Sequence, residues 1–166
     1  MKIAIISDTH DNLATLDKFL AYIEQNPVGL VIHCGDIADG ITLERLAKNF
    51  RGKIMAVFGN MDYRDTVEKS VKKFPQQIKL FESLGETEVD GLKIGFCHHK
   101  ENALQCCQNK KFDYFFYGHT HKPWLETVGD CQLANPGTLA GMFYKATFAT
   151  LDTQTKKLDL KIVERL

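Results

Sequence analysis

An α/β fold is predicted for this sequence of 166 residues. Two observations carry that reading. Short apolar runs rich in β-branched or aromatic residues recur along the chain, and apolar residues at helical spacing lie between the early ones. A third observation locates a site: polar residues of metal-ligating type stand just after several of the runs, where α/β sheets collect ligands.

The first run, Lys2 to Ile6, precedes Leu13, Leu16, Phe19, Leu20 and Ile23, which share one helical face. Asn12 stands where that helix begins and is read as its cap. Gly29 to His33 is the second strand, Leu43, Leu46 and Ala47 mark a second helix, and Lys53 to Phe58 is the third strand. The first half is thus strand-helix-strand. Leu92 to Cys97 and Asp113 to Tyr117 continue the series, and Val89-Asp90-Gly91-Leu92 reads as a hairpin because Asp-Gly suits a tight turn. Cys131 to Ala134, Tyr144 to Leu151 and Leu158 to Val163 are expected to be further strands. No linker, repeat or low-complexity stretch divides the chain, so residues 1–166 are expected to form a single domain.

The 44% hydrophobic content supports a sizeable core and argues against disorder. The 21 basic residues balance 21 acidic ones, so no overall field draws the chain to long nucleic acid or an anionic membrane. The five cysteines are odd in number and show no C-x-x-C spacing, which fits a reducing cytoplasm. The apolar run Ile3 to Ile6 is too short for a signal peptide, and no later run approaches a transmembrane length.

After the first strand comes Asp8-Thr9-His10, after the second Gly35-Asp36-Ile37-Ala38-Asp39, and after the third Gly59-Asn60-Met61-Asp62. His98-His99 follows the fourth, and Gly118-His119-Thr120-His121 the fifth. In an extended segment residues two apart point the same way, so Asp8 with His10, and His119 with His121, are each expected to reach one shared site. Carboxylate, carboxamide and imidazole together suit borderline divalent ions such as Mn²⁺, Fe²⁺, Zn²⁺ or Ni²⁺. Taken singly, each piece has an ordinary explanation, because Gly-Asp and Gly-Asn are common turn chemistry and a lone His is more often a satisfied polar group. Taken together, in this order and all at strand ends, they point to a metal site.

Other residues have structural readings. His33 is expected to make structural hydrogen bonds, Cys34 and Cys97 to act as small buried hydrophobes, and Trp124, Phe143 and Tyr144 to pack in the core. Asp62 either supports a ligand or begins the next helix.

The ordered set D-x-H, G-D-x-x-D, G-N-x-D, a strand-end His and G-H-x-H resembles the calcineurin-like metallophosphoesterase superfamily. With Asn135-Pro136-Gly137-Thr138 after the last motif, it resembles the small prokaryotic phosphodiesterases related to the retromer subunit Vps29. The resemblance implies a four-layer α/β/β/α sandwich of two packed mixed sheets. It implies two divalent metal ions, Mn²⁺ foremost, one taking Asp8, His10 and His121, the other Asn60, His98 and His119, with Asp36 bridging both and Asp39 outside. These seven residues form both the metal and the catalytic set. It further implies hydrolysis of small phosphodiesters by metal-bound hydroxide, with metals roughly 3.5–4 Å apart, and a homodimer or homotetramer. A Vps29-like interaction scaffold is the competing reading, and a nuclease a second enzymatic one, against which the neutral charge and the lack of a nucleic-acid module speak for long polymers, leaving short nucleotides or cyclic diesters open.

Two departures stand out. Many members have His where this chain has Met61, and a thioether cannot protonate a leaving group, so good leaving groups are expected to be favoured. The fourth motif lacks its usual Gly; His98 ends the strand in register and is taken as the ligand, with His99 in reserve.

Overall fold

The computed structural model describes residues 1–109 and 111–166. The first sheet is built from β1 (Lys2–Ile6), β2 (Leu30–His33), β3 (Lys53–Val57) and β4 (Ile78–Phe81), parallel to one another. Between them run α1 (Leu13–Gln25), α2 (Ile41–Asn49) and α3 (Arg64–Lys73). The second sheet follows with β5 (Leu84–Val89), β6 (Leu92–Cys97), α4 (Lys100–Asn109), β7 (Tyr114–Phe116), β8 (Trp124–Val128) and β9 (Cys131–Asn135). The chain then returns to the first sheet through β10 (Thr147–Asp152) and β11 (Lys157–Ile162). Strand order is β11-β10-β1-β2-β3-β4 in the first sheet and β5-β6-β7-β9-β8 in the second. Both sheets are mixed: β10 lies antiparallel to β1, while β6, β7 and β9 are parallel and β5 and β8 antiparallel at the edges.

Strand alternation creates the layers. On β1, Ile3 and Ile5 face the second sheet and pack with Ile94, Phe96, Tyr114 and Phe116. Ala4 and Ile6 face the other way, toward Leu16 and Phe19 of α1, Leu43 of α2 and Val67 of α3. On β7 the intervening Phe115 turns outward and joins Ala103 and Cys107 of α4. The result is the expected α/β/β/α sandwich, with α1 to α3 on one outside and α4 on the other. Phe19 meets Phe148 of β10 edge-on, ring centroids 5.0 Å apart, and both are fully buried; each such side chain stabilises the fold by about 1.5–3 kcal/mol.

Several elements depart from expectation. The segment read as a strand from Tyr144 begins only at Thr147, because Gly141 and Phe143 both take positive φ and turn the chain ahead of it. Trp124 and Tyr144 are about half exposed and Phe143 is 87% exposed, so the three aromatics expected in the core lie at the surface. Trp124 is on an edge strand, and the tight turn carries Phe143 out of reach of either sheet.

Candidate metal centre

The carboxyl ends of β1, β2, β3, β6 and β7 meet at one edge of the sandwich, since parallel pairing points these strands the same way within each sheet. Backbone contacts lock the following loops together. Asp8 N–H donates to the Gly35 carbonyl at 3.0 Å, Gly118 N–H to the His98 carbonyl at 3.0 Å, and His119 N–H to both oxygens of the Asp8 carboxylate at 3.2 Å. Two glycines make this convergence possible. A Cβ on Gly59 would collide with the Asp36 amide and carboxylate, and one on Gly118 would collide with the Ser7 hydroxyl and crowd the Asp8 carboxylate.

The structure gathers the expected residues into two groups that share Asp36. Asp8, His10, Asp36 and His121 form one, and Asp36, His98 and His119 the other, with the donor atoms of each group within 4.8 Å of one another. In the first, His121 Nε2 lies 3.2 Å from Asp8 Oδ1 and 3.4 Å from His10 Nε2, and His10 Nε2 lies 3.7 Å from Asp36 Oδ2. In the second, His98 Nε2 lies 3.3 Å from Asp36 Oδ1 and 2.9 Å from Asn60 Oδ1. The two oxygens of Asp36 therefore face different groups. His99 belongs to neither; its ring lies against His98 and His119, at 4.9 and 4.5 Å between centroids.

The donor set fits divalent cations. Donors about 2.0–2.2 Å from one ion are separated by roughly 3–3.5 Å, and the neighbouring donors here lie 2.9 to 3.7 Å apart. Two of the rings are also held in a ligating orientation. His98 Nδ1–H donates to the Cys34 carbonyl at 2.8 Å and His121 Nδ1–H to the Met142 carbonyl at 3.4 Å, leaving each Nε2 lone pair directed into the site. Two imidazole nitrogens facing each other at 3.4 Å, as in His10 and His121, repel unless a proton or cation lies between them.

The electrostatics agree. Burial raises the Asp36 carboxyl, but the hydrogen bond and charge of His98, with the Met61 N–H at 2.9 Å, bring it down to about 2. Burial lowers His98, and its pairing with Asp36 more than offsets this, so the imidazole is raised. His121 is raised mainly by its hydrogen bond to Asp8. Without a cation, the carboxylates of Asp36 and Asp8 thus favour the protonated forms of His98 and His121.

The backbone corrects one sequence argument. Asp8, His10, Asp36, His119 and His121 are not extended; their φ values are 51, 40, 55, 65 and 59°. Asp8 and His10 still share one group, but His119 and His121 divide between the two. Such clustering of non-glycine residues in the left-handed region stores strain of the sort found at functional sites.

Supporting residues are also visible. His33 accepts from the Gly35 N–H at Nδ1, 3.2 Å, so its protonated Nε2 donates to Thr9 Oγ1 at 3.0 Å; burial, then the charge of His98, depresses it to about 3. Tyr63, not Asp62, stands at the cap of α3; the Asp62 carboxylate instead accepts from the Gly59 and Ala38 amides at 2.7 and 2.8 Å, in the loops that carry Asn60 and Asp36. Asn12 caps α1 through the Thr15 N–H and donates to the Ala140 carbonyl. Burial raises the Cys97 thiol to about 12, consistent with a packing role. Asp39 is exposed and donates its N–H to Asp11. Sequence reasoning passed over Asp11, which ties the first loop to Thr42 at 3.0 Å, and Asn135, whose buried amide holds the Gly118 carbonyl and Thr120 hydroxyl at 2.8 and 3.0 Å. Asn135 was visible only as part of the Asn-Pro-Gly-Thr string.

With this geometry in place, the family model described as the calcineurin-like phosphoesterase superfamily domain matches residues 1–156. The chain belongs to that superfamily. Phosphodiesterase MJ0936 of Methanocaldococcus jannaschii is 32% identical over 160 residues, covering 95% of this chain and 96% of the relative. Phosphodiesterase YfcE of Escherichia coli is 27% identical over 152 residues, 84% of this chain and 80% of the relative. Among solved structures, one described as a novel archaeal phosphodiesterase superposes with a TM-score of 0.89 at 31% identity, covering 98% and 99% of the two chains. Vps29 of Chaetomium thermophilum gives 0.73 at 17% identity over 98% and 95%, a likeness of fold alone. No helix among the described residues is long and apolar enough to cross a membrane.

Proposed function

We propose that this calcineurin-like phosphoesterase is a dinuclear metal-dependent phosphodiesterase acting on small phosphodiesters. The observation that carries the reading is Asp36, whose two carboxylate oxygens face two separate sets of donors. Asp8, His10 and His121 would hold one cation with Asp36, and Asn60, His98 and His119 the other. Two such cations, with Mn²⁺ the first choice and Ni²⁺, Zn²⁺ or Fe²⁺ alternatives, supply charge neutralisation at the phosphoryl oxygens and lower the pKa of water.

The chain's own contribution is presentation. Cys34 and Met142 carbonyls fix the tautomers of His98 and His121, and the Met61 backbone N–H steadies Asp36 Oδ1. Water adds to phosphorus, the P–O ester bond breaks, and a monoester and an alcohol leave. The Met61 side chain is 56% exposed and cannot donate a proton to the departing oxygen. Substrates with stable leaving alkoxides or phenolates are therefore favoured. The relatives named phosphodiesterase support the diester reading.

The test is hydrolysis of bis-p-nitrophenyl phosphate and of the monoester p-nitrophenyl phosphate by chelator-treated protein, with and without added Mn²⁺. Metal-dependent turnover of the diester ahead of the monoester is expected. A folded, metal-loaded protein inactive with Mn²⁺, Ni²⁺, Zn²⁺ and Mg²⁺ would favour an interaction scaffold instead.

A further inference from the structure

The loop between β9 and β10 carries an aromatic side chain that lies outside the packed core. Phe143 is 87% exposed and takes a φ of 64°, a conformation that suits glycine better than a bulky residue. Folding gains nothing from either property. The base of the loop is nonetheless firmly held: Thr138 pairs with Ala146, Leu139 and Ala140 N–H groups donate to the Ser7 and Asp8 carbonyls, and Thr138 Oγ1 donates to the Asp8 carbonyl at 3.0 Å. The ring is thereby presented beside His121, with centroids 5.7 Å apart, at the rim of the candidate metal centre.

A second feature lies on the adjoining surface. A cavity of about 350 Å³ is lined by Lys100, Tyr117, Thr120, Lys122, Trp124 and Tyr144. It is contiguous in sequence with the site at both walls, since Thr120 separates His119 from His121 and Tyr144 follows Phe143. Its chemistry is aromatic and basic. Lys100 is paired with Glu126 at 2.9 Å and its ammonium lies 5.9 Å from the centroids of both Trp124 and Tyr117, while the Lys122 ammonium sits 5.5 Å from that of Trp124. The volume falls in the range of small-molecule sites, about 300–1,000 Å³, and the balanced charge of the whole chain gives no track for a polymer.

We propose that this loop and cleft form a nucleotide subsite, so that the diester cleaved carries an aromatic base on one arm. The base stacks on the aromatic faces offered by Phe143, Trp124 and Tyr144, a contact that every base can make through its π-face. Lys122 and the Thr120 hydroxyl supply charge and hydrogen bonds to its phosphate or ring acceptors. This inference rests on the phosphodiesterase reading for turnover, but not for binding.

The experiment has two arms on the Mn²⁺-loaded protein. Trp124 is the sole tryptophan, so its fluorescence reports the cleft directly. AMP should quench it saturably, ribose 5-phosphate should not, and Phe143→Ala and Lys122→Ala should each weaken AMP binding about tenfold, in line with the loss of one stacking or charged contact. In the second arm, thymidine 5′-(p-nitrophenyl phosphate) is compared with methyl p-nitrophenyl phosphate, which has the same leaving group and no base. The nucleoside ester should be preferred about tenfold or more in kcat/KM, with the ratio falling toward one in Phe143→Ala and retained in Phe143→Tyr. AMP that fails to quench, or quenches no better than ribose 5-phosphate, overturns the subsite, as does a ratio near one in the unaltered protein. If neither ester is cleaved, the phosphodiesterase reading fails while the fluorescence titration still decides the subsite.

Discussion

His33 offers a quantitative check on how the site is built. It is fully buried beneath the candidate metal centre, accepts from the Gly35 amide and donates to Thr9, so the fold holds it neutral. Its pKa falls from the ordinary 6.5 to about 3, chiefly through burial and then the charge of His98. The unfolded chain takes up a proton at this residue near pH 6.5 and the folded chain does not. Its contribution to stability therefore declines as pH drops below about 6.5 and levels off near 3. At about pH 4.5, roughly two units below the ordinary value and at about 1.36 kcal/mol per unit, the loss is about 2.7 kcal/mol. Replacing His33 with Gln removes that dependence and also breaks the buried hydrogen-bond pair, which costs about 1–3 kcal/mol at neutral pH. Urea denaturation in chelator, followed by far-ultraviolet circular dichroism, should show the Gln variant less stable at about pH 7.5. The gap should close or invert at about pH 4.5. His98 and His121, whose values shift the opposite way, are present in both proteins and cancel. A stability difference that stays constant across this range would refute the neutral, buried assignment.

Further outcomes follow from the same geometry. His98→Ala should reduce bound Mn²⁺, measured by metal analysis after dialysis, whereas His99→Ala should leave it near the unaltered value; equal losses would mean that both rings coordinate. Gly59→Ala should destabilise the fold by about 1–3 kcal/mol through overpacking against Asp36 and weaken Mn²⁺ binding. Gly91→Ala, at a positive φ in open space, should leave Mn²⁺ binding unchanged, and calorimetric titration of both variants tests the contrast. Rates across diesters of graded leaving-group pKa should fall steeply as the alcohol becomes a poorer leaving group, and a flat profile with chemistry rate-limiting would show that another residue replaces the proton donor absent at Met61.

The candidate site was legible as a cluster because its donors sit in short local strings at the ends of strongly apolar strands, where Asp8, Asp36, Asn60, His98 and His119 each follow a buried run. What could not be read was anything set by tertiary surroundings. The helix Arg64–Lys73 buries only Val67 and Ser70, and Lys100–Asn109 only Ala103 and Cys107, too few apolar positions to show a helical period. The strands Leu84–Val89 and Trp124–Val128 lie at sheet edges and are half exposed, so their alternation is weak. The left-handed backbone at His119 and His121 divides an H-x-H pair that alternation in an extended chain would have kept together; the family resemblance implied this division, and the spacing did not. Exposure of Phe143 and Trp124 likewise depends on where the turn at Gly141 and the end of the second sheet fall, which composition does not reveal.

The shared role of Asp36 can be tested most directly by titrating Mn²⁺ into chelator-treated protein while following both bound metal and hydrolysis of bis-p-nitrophenyl phosphate. Binding should saturate at about two ions per chain, with activity appearing as the second is taken up, and Asp36→Ala should lose both. Full activity at one ion per chain, or an Asp36→Ala variant that still binds two, would contradict a two-metal centre built on that carboxylate.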